Sequence, residues 1–294
     1  MQFDPNQLAA LSAVLRLGSF DAAAQTLLVT PSAISQRIKA LEDRIGTSLV
    51  KRGPPCMGTE AGLRIAKHAE DVALLEAAVS DDLRLERTPG ASRLRVAINA
   101  DSLATWFIPV MAATDGLLFD LVIDDQDHSA DWLRRGEVSA AVTAHAKPVT
   151  GCDAYPLGAL RYIATVAPVF RDRWFAQGVT KAAATTAPCL IFNAKDQLQA
   201  RWLSAHVGRG IAPPAHFLPS SHGFVDAALA GVGWGMNPEQ LVAPYLATES
   251  LRPMIDHTPL DVPLTWQVSR VLAPALADVT RAVLKSARRH LMPV

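Results

Sequence analysis

The first sixty residues place apolar side chains at three- and four-residue steps, interrupted by turn residues. This periodicity predicts three helices, over residues 6–17, 20–27 and 31–44. Gly18 is suited to end the first helix, and Ser19 to cap the second. A gap of three residues separates the second and third helices. The pattern therefore favours a helix-turn-helix, whose second helix can enter a DNA major groove.

The third predicted helix has one apolar side and one polar side. Ile34, Ile38 and Leu41 recur at helical spacing and predict the buried side. Glutamine suits adenine, arginine suits guanine or phosphate, and serine and lysine suit the DNA backbone. An ordinary surface helix in a small bundle is the alternative. The candidate DNA-binding residues here, including the capping Thr30 and the first-turn proline, are Thr30, Pro31, Ser32, Ser35, Gln36, Arg37 and Lys39.

A short strand and a turn follow the third helix. Residues 49–52 read as the strand, and Gly53-Pro54-Pro55 turns the chain back. We interpret this pair as the wing of a winged helix, in which Lys51 and Arg52 hold phosphates or enter the minor groove. A plain exposed hairpin is the alternative. Basic residues modestly exceed acidic residues before residue 68, although the whole chain has a formal net charge of +0.

A long helix is predicted next, from Glu60 to about Leu85, with Thr59 as its cap. Its apolar stripe consists of Ile65, Ala69, Val72, Leu75, Val79 and Leu83. We interpret it as a dimerisation arm, with packing on its own C-terminal half as the alternative. Residues 87–92 read as a linker because they contain Pro89-Gly90. The predicted units are a DNA-binding domain (1–62), a linker helix and hinge (59–92) and a C-terminal domain (93–294).

Strand and helix patterns alternate from residue 93 onward. Strands are predicted at 94–98, 119–123 and 138–143, and Asp101 or Ser102 is expected to cap the helix after the first. This alternation predicts an α/β fold with a parallel sheet. Further strands are predicted near 162–166, 189–192, 216–218, 233–237 and 264–268, and helices near 129–135, 196–206, 223–230, 238–246 and 274–291. These elements are enough for two lobes with a cleft between them. The first lobe consists of residues 93–163 and 266–294, and the second of residues 164–265, all approximately.

Composition narrows the class of protein. The chain has 294 residues, 50% of them hydrophobic and 19% charged, which suits a globular protein of two or more domains. No apolar run reaches about 18 residues, and the N-terminus lacks the pattern of a secretory signal. Cys56, Cys152 and Cys189 fit neither a disulfide framework nor a zinc site and suit a reducing cytoplasm. We expect a cytoplasmic protein that is not an enzyme and has no metal, cofactor or membrane partner, since the nucleotide-binding and catalytic motifs are missing.

Specific runs of residues carry a family resemblance. They are Leu8, Gly18-Ser19-Phe20, Ala22-Ala23-Ala24, Leu27, residues 30–38, Leu41-Glu42, Gly46 and Thr59-Glu60-Ala61-Gly62. With these, residues 5–62 resemble the winged helix-turn-helix of LysR-type transcriptional regulators. Residues 99–107, 124–129, 134–138, 141–143 and 231–236 are similar to the LysG/ArgP branch of that family.

The resemblance implies a regulator that binds double-stranded DNA as a dimer and commonly forms homotetramers through its linker helices. Its C-terminal half resembles a periplasmic binding protein with a hinge and an effector cleft. The branch senses basic amino acids, chiefly lysine and arginine, and commonly activates genes for their export or metabolism. RNA polymerase is a further candidate partner. A solute-binding protein, or a DNA-architectural protein without regulated transcription, is the alternative.

An amino-acid effector needs donors for its carboxylate and acceptors for its ammonium groups. Helix N-termini supply donors, and carboxylates such as Asp101 and Asp124, with Asp125 and Asp127 as spares, supply acceptors. The candidate effector-binding residues are Asn99, Asp101, Ser102, Thr105, Asp124, Thr143, Ser221 and His222.

Three positions depart from the pattern of the branch. Met57 stands in the wing where relatives usually have arginine, so the phosphate contact expected there is either lost or taken over by Arg52. His222 stands where the branch often has glutamate, and Asp124 where several members have the longer glutamate. These departures leave histidine or another amino acid as alternatives to lysine and arginine.

Overall fold

Three helices and a hairpin form the N-terminal part of the computed structural model, which describes residues 2–83, 85, 92–144 and 147–293. The elements are α1 (Pro5–Leu17), α2 (Phe20–Thr26), α3 (Pro31–Ile45), β1 (Val50–Lys51) and β2 (Met57–Gly58). The strands β1 and β2 pair antiparallel. Ser19 Oγ accepts the N–H of Ala22, and Gly18 ends α1 in the left-handed conformation. The predicted winged helix-turn-helix is confirmed.

The long helix α4 (Glu60–Asp82) ends three residues before the predicted Leu85. Leu74 is only 3% exposed and belongs to the core of the C-terminal region. Asp71 Oδ1 accepts a hydrogen bond from Ser139 Oγ at 3.2 Å. The helix therefore packs on its own C-terminal half, which was the alternative prediction. Part of its apolar surface stays exposed, at Leu63, Val79 and Leu83.

The predicted linker falls almost entirely outside the described residues. Of the segment 87–92, the structure describes only Ser92, which begins the first strand of the C-terminal region.

A mixed sheet organises the C-terminal region. Its strands are β3 (Ser92–Ile98), β4 (Leu117–Ile123), β5 (Ala140–Thr143), β6 (Cys152–Val166), β9 (Gly235–Pro238), β10 (Arg252–Pro253) and β11 (Leu260–Ser269), and a separate pair is formed by β7 (Cys189–Ile191) and β8 (Ala215–Phe217). The α/β class is confirmed. The parallel pairing is correct for β3 with β4 and β5 and for β7 with β8. It is wrong for β6, β9, β10 and β11, whose pairings are antiparallel.

The strand β6 connects two groups of strands. Along most of its length it pairs with β11, from Cys152 to Tyr162, and beyond that point it pairs with β9 and β10. Only its last five residues were predicted as strand.

Helical segments fill the connections between the strands. They are α5 (Ala100–Ser102), a π-helical segment (Leu103–Phe107), α6 (Ile108–Ala112), α7 (Ser129–Arg134), α8 (Pro168–Trp174), α9 (Lys181–Thr186), α10 (Leu198–His206), α11 (Ser221–Leu229), α12 (Glu239–Ala247) and α13 (Ala277–His290). The short helices α8 and α9 were not predicted. Among the described residues, no helix has the length and apolarity needed to cross a membrane.

Replacing Leu74 with alanine should lower the free energy of unfolding by about 2–5 kcal/mol, because removing this buried side chain leaves a cavity in the core. Leu63 lies on the same helix but is 52% exposed, so Leu63→Ala is the matched control and should change it by less than about 0.5 kcal/mol. Chemical denaturation of both variants measures the difference. Equal losses would show that α4 does not depend on the C-terminal core.

Candidate nucleic-acid interface and effector cleft

The outer face of α3 carries the polar side chains that were predicted to contact DNA. Ser32, Gln36 and Lys39 are exposed, and Ser35 and Arg37 are half-buried. On the opposite side Ile34, Ile38 and Leu41 are at most 1% exposed. The apolar side thus fixes the helix on α1 and α2, and the polar side faces outward.

Thr30 and Pro31 set the start of α3. Thr30 Oγ1 accepts the N–H of Ala33 at 3.2 Å and lies 3.0 Å from Ser32 Oγ. Pro31 occupies the first helical position, where its missing N–H needs no partner. Both residues therefore have a structural role, and their contact with DNA stays a prediction.

The wing is attached to α3 by a side chain that we had given no role. Glu42 Oε1 accepts the N–H groups of Leu49 at 2.7 Å and Val50 at 3.2 Å. Lys51 and Arg52 are exposed, and the Arg52 guanidinium lies 5.2 Å from the centroid of the Phe20 ring. This cation–π contact holds Arg52 beside the helix-turn-helix. The wing cations are therefore held in place relative to α3.

A cavity of about 80 Å³ lies where several segments of the C-terminal region meet. It is lined by Asn99, Ala100, Asp101, Ile123, Asp124, Asp125, Gln126, Phe192, Asn193, Asp196, Leu198, Ser221, Phe224, Met236, Asn237 and Pro238. This cavity is smaller than the pockets of about 300–1,000 Å³ that usually bind drug-sized molecules. Four of the lining side chains are carboxyl groups.

Asp101 receives hydrogen bonds from two distant parts of the chain. Tyr162 donates its hydroxyl to Asp101 Oδ2 at 2.9 Å, and Ser221 donates to Oδ1 at 2.6 Å. Burial raises the pKa of Asp101, and these two hydrogen bonds act in the opposite direction. Burial and the neighbouring Asp101 raise the pKa of Tyr162 well above its usual value. Asp101 therefore ties the beginning of α5 to β6 and α11.

Asp124 is held as a carboxylate by a cation. Burial alone would raise its pKa, but hydrogen bonds from Lys195 and Trp132 and the charge of Lys195 lower it. Lys195 Nζ lies 2.6 Å from Asp124 Oδ1, which also accepts the N–H of Asp125, and Trp132 Nε1 lies 2.9 Å from Oδ2. We had assigned no role to Lys195, and no motif around it indicates one.

Two buried amides leave carbonyl oxygens unpaired. Asn99 donates to Gln126 Oε1 at 3.1 Å, and Asn237 donates to Thr165 Oγ1 at 2.8 Å. Asn99 is 4% exposed and Asn237 is 0% exposed, yet the Oδ1 atoms of both lack a hydrogen-bond partner. Unpaired buried oxygens are costly, so they favour a bound group with N–H donors.

Four candidate effector residues do not line the cavity. Thr105 Oγ1 donates to the Asp101 carbonyl within its own helix at 2.6 Å, and Thr143 Oγ1 accepts from Gln267 in the core at 3.0 Å. Ser102 is fully buried outside the lining, and His222 is exposed on α11. The predicted sites at Ser102, Thr105, Thr143 and His222 are therefore not brought together with Asn99, Asp101, Asp124 and Ser221.

The prediction that Asp101 or Ser102 caps the helix after β3 is wrong. The helix begins at Ala100, with Asn99 at the cap position and no side-chain capping bond. Both predicted caps thus lie inside the helix. The Asp101 carboxylate is taken instead by Tyr162 and Ser221.

The raised pKa of Asp101 predicts a pH effect on stability. A carboxyl group whose pKa is higher in the folded state binds more protons in that state than in the unfolded state. Its protonation therefore stabilises the fold at low pH, and this stabilisation is lost as the pH rises from about 3.8, the pKa of the unfolded state, through the higher pKa of the folded state. Asp101→Asn should therefore remove this loss, so the free energy of unfolding of the variant should fall less steeply than that of the unaltered protein as the pH rises from 4. Asp172→Asn, at an exposed position, is the control. Chemical denaturation at several pH values measures this slope, and an unchanged slope in Asp101→Asn would contradict the assignment.

Comparison with known proteins finds a family match for each half of the chain. Residues 5–63 match the family model described as bacterial regulatory helix-turn-helix protein, lysR family, and residues 87–288 match the LysR substrate binding domain. The regulator LysG of Mycobacterium tuberculosis is 45% identical over 286 residues, which cover 97% of this chain and 94% of that protein.

Two solved structures resemble the whole chain. ArgP from Mycobacterium tuberculosis has a TM-score of 0.81 and 44% identity, with 100% of both chains covered. Full-length LysG from Corynebacterium glutamicum, with bound effector Arg, has a TM-score of 0.67 and 36% identity, covering 99% of this chain and 100% of that one. The chain therefore belongs to the LysR family of bacterial helix-turn-helix regulatory proteins.

Proposed function

We propose that this protein is a sequence-specific transcriptional regulator whose DNA binding is controlled by a basic amino acid, lysine or arginine. The observation that carries the effector class is the lining of the cleft. Four carboxyl groups line one small cavity together with Asn99 and Asn237, whose buried amide oxygens have no partner, and all of these oxygens can accept hydrogen bonds. An ammonium offers three donors and a guanidinium five, so both match this lining. We place the effector at Asn99, Asp101, Asp124 and Ser221.

The relatives support the same class of effector. The Corynebacterium glutamicum LysG was solved with bound effector Arg. Histidine is the weaker candidate because its imidazole is mostly neutral near pH 7 and offers fewer donors. We infer that the regulated genes serve the export or metabolism of basic amino acids.

Assembly is the second part of the proposal. The units are the DNA-binding domain (1–62), the linker helix and hinge (59–92) and the effector domain (93–294). The exposed apolar side chains of Val79, on α4, and of Leu83, just after it, are four residues apart and suit a helix from a second copy. We propose a dimer through α4 and a homotetramer on DNA, with RNA polymerase as a further partner.

Substitutions on α3 test the DNA-binding surface. Gln36→Ala and Arg37→Ala should each weaken operator binding by about 1–3 kcal/mol and change the preferred sequence, because these side chains suit base edges. Lys39→Ala is the comparison, since a phosphate contact weakens binding to all sequences and reduces the salt dependence. Footprinting and selection from a random DNA library measure both effects. Diffuse binding by the unaltered protein would instead favour an architectural role.

A thermal-shift screen of the full chain against the twenty amino acids tests the effector. A ligand that binds only the folded state raises the melting temperature, and we expect the largest rise with arginine or lysine. The same ligand should change the footprint on DNA. A screen in which no amino acid raises the melting temperature would contradict the effector assignment.

A further inference from the structure

An ion pair joins two sides of the cleft. Asp124 follows β4, and Lys195 lies between β7 and α10, 71 residues further along the chain. The lining itself contains no lysine or arginine, and among the described residues Lys195 is the one cation paired with a lining carboxylate. Lys195 thus places a positive group beside the carboxyl groups of the lining.

The segment around Lys195 is held by its own polar side chains. Asn193 Oδ1 accepts the N–H of Lys195 at 2.8 Å. Asp196 accepts the N–H groups of Phe192 at 3.0 Å and Leu198 at 2.9 Å. These hydrogen bonds fix the backbone at Lys195, so the side chain that carries the ammonium starts from a defined position.

Exposure differs along the cleft. Asn99, Gln126 and Asn237 are at most 5% exposed, whereas the Lys195 side chain is 47% exposed and that of Asp124 is 15% exposed. The ion pair therefore marks the outer end of the site. The unpaired oxygens of Asn99 and Asn237 mark the inner end.

A basic amino acid carries two cationic groups and one carboxylate. The cleft offers carboxyl groups that suit the cations and, in Lys195, a cation that suits the carboxylate. Its inner end offers acceptors to a cationic side chain. At its outer end Asp124 suits an α-ammonium, and Lys195 suits an α-carboxylate.

We propose that Lys195 and Asp124 form the subsite for the zwitterionic head of the effector. On binding, the Lys195 ammonium leaves Asp124 for the α-carboxylate of the ligand, and Asp124 accepts the α-ammonium. One ion pair is thereby exchanged for two, and no charge is left buried without a partner. The cationic side chain of the ligand points toward Asp101, Asn99 and Asn237. This inference rests on the proposed function, because it assigns the two ends of the same effector.

The opposite orientation makes the opposite prediction. If the cationic side chain of the ligand bound Asp124, it would compete with the Lys195 ammonium. Removing that ammonium would then strengthen binding, whereas our proposal requires that it weaken binding. The sign of the effect therefore decides the orientation.

The test compares arginine with agmatine, which is arginine without its α-carboxylate, by calorimetry on the full chain. The unaltered protein should bind arginine at least tenfold more tightly than agmatine. Lys195→Gln should weaken arginine binding about three- to tenfold, as expected for a partly exposed ion pair. It should not weaken agmatine binding, because agmatine has no carboxylate for Lys195 and its ammonium competes with Lys195 for Asp124. The preference for arginine should shrink accordingly.

Two further variants serve as controls. Lys195→Arg keeps the positive charge and should retain most of the preference for arginine. Lys181→Gln removes an exposed lysine on α9 and should leave both affinities unchanged. Circular dichroism and the melting temperature establish that each variant is folded.

Each remaining outcome overturns the proposal in a recognisable way. Tighter arginine binding by Lys195→Gln would show that Lys195 competes with the ligand. An equal loss for arginine and agmatine would show that Lys195 only holds the cleft together. If neither the unaltered protein nor Lys195→Gln binds arginine or lysine, the proposed function itself fails, and this inference fails with it.

Discussion

The desolvation of a group of carboxyl groups is the constraint on which the C-terminal half of this protein depends. Asp101, Asp124, Asp125 and Asp196 line one small cavity, and burial acts to raise the pKa of the first three. Several carboxylates around one small cavity repel one another, and they stay ionised only when hydrogen-bond donors or cations pair with them. The donors come from across the cavity, from Ser221 to Asp101 and from Lys195 to Asp124. These two bonds connect segments on opposite sides of the cavity.

A ligand can shift such an arrangement only if it binds one geometry better than another. The proposed basic amino acid would meet this condition, because its cationic groups would donate to the carboxyl groups that Ser221 and Lys195 contact in this structure. The linker helix takes part mechanically, since Leu74 lies in the C-terminal core and Asp71 bonds Ser139. Ser139 immediately precedes β5, whose last residue, Thr143, bonds Gln267. The helix that carries the DNA-binding domain is therefore in direct contact with this sheet, and the proposed regulation would use this contact.

The N-terminal domain could be predicted closely because its determinants are local. The caps at Ser19 and Thr30, the glycine at position 18 and the stripe of α3 are each encoded within a few residues. The first ten residues of β6 were missed because polar and small side chains interrupt their apolar pattern. The short helices α8 and α9 were missed because neither shows a sustained stripe.

The cleft was only partly predictable, because it is assembled from segments far apart in the sequence. Asn99, Asp101, Asp124 and Ser221 were identified from their places beside predicted strands and helices. Lys195 reaches Asp124 over 71 residues and lies in a loop without a motif. Ser102 and Thr143 have suitable chemistry but point into the core, which no local pattern reveals.

The cleft also answers the question raised by the departures from the branch pattern. His222 is exposed on α11 and does not line the cavity, so its imidazole leaves the acceptor lining unchanged. Asp124 is shorter than glutamate, but Trp132 and Lys195 reach its two oxygens and fix the orientation of the carboxylate. The Lys195 ammonium lies 2.6 Å from Asp124 Oδ1, so in the proposed binding mode it moves from this carboxylate to the carboxylate of the ligand. Neither departure removes a carboxyl group from the lining, so both are compatible with the proposed basic amino acid, whose ammonium or guanidinium donates to such groups.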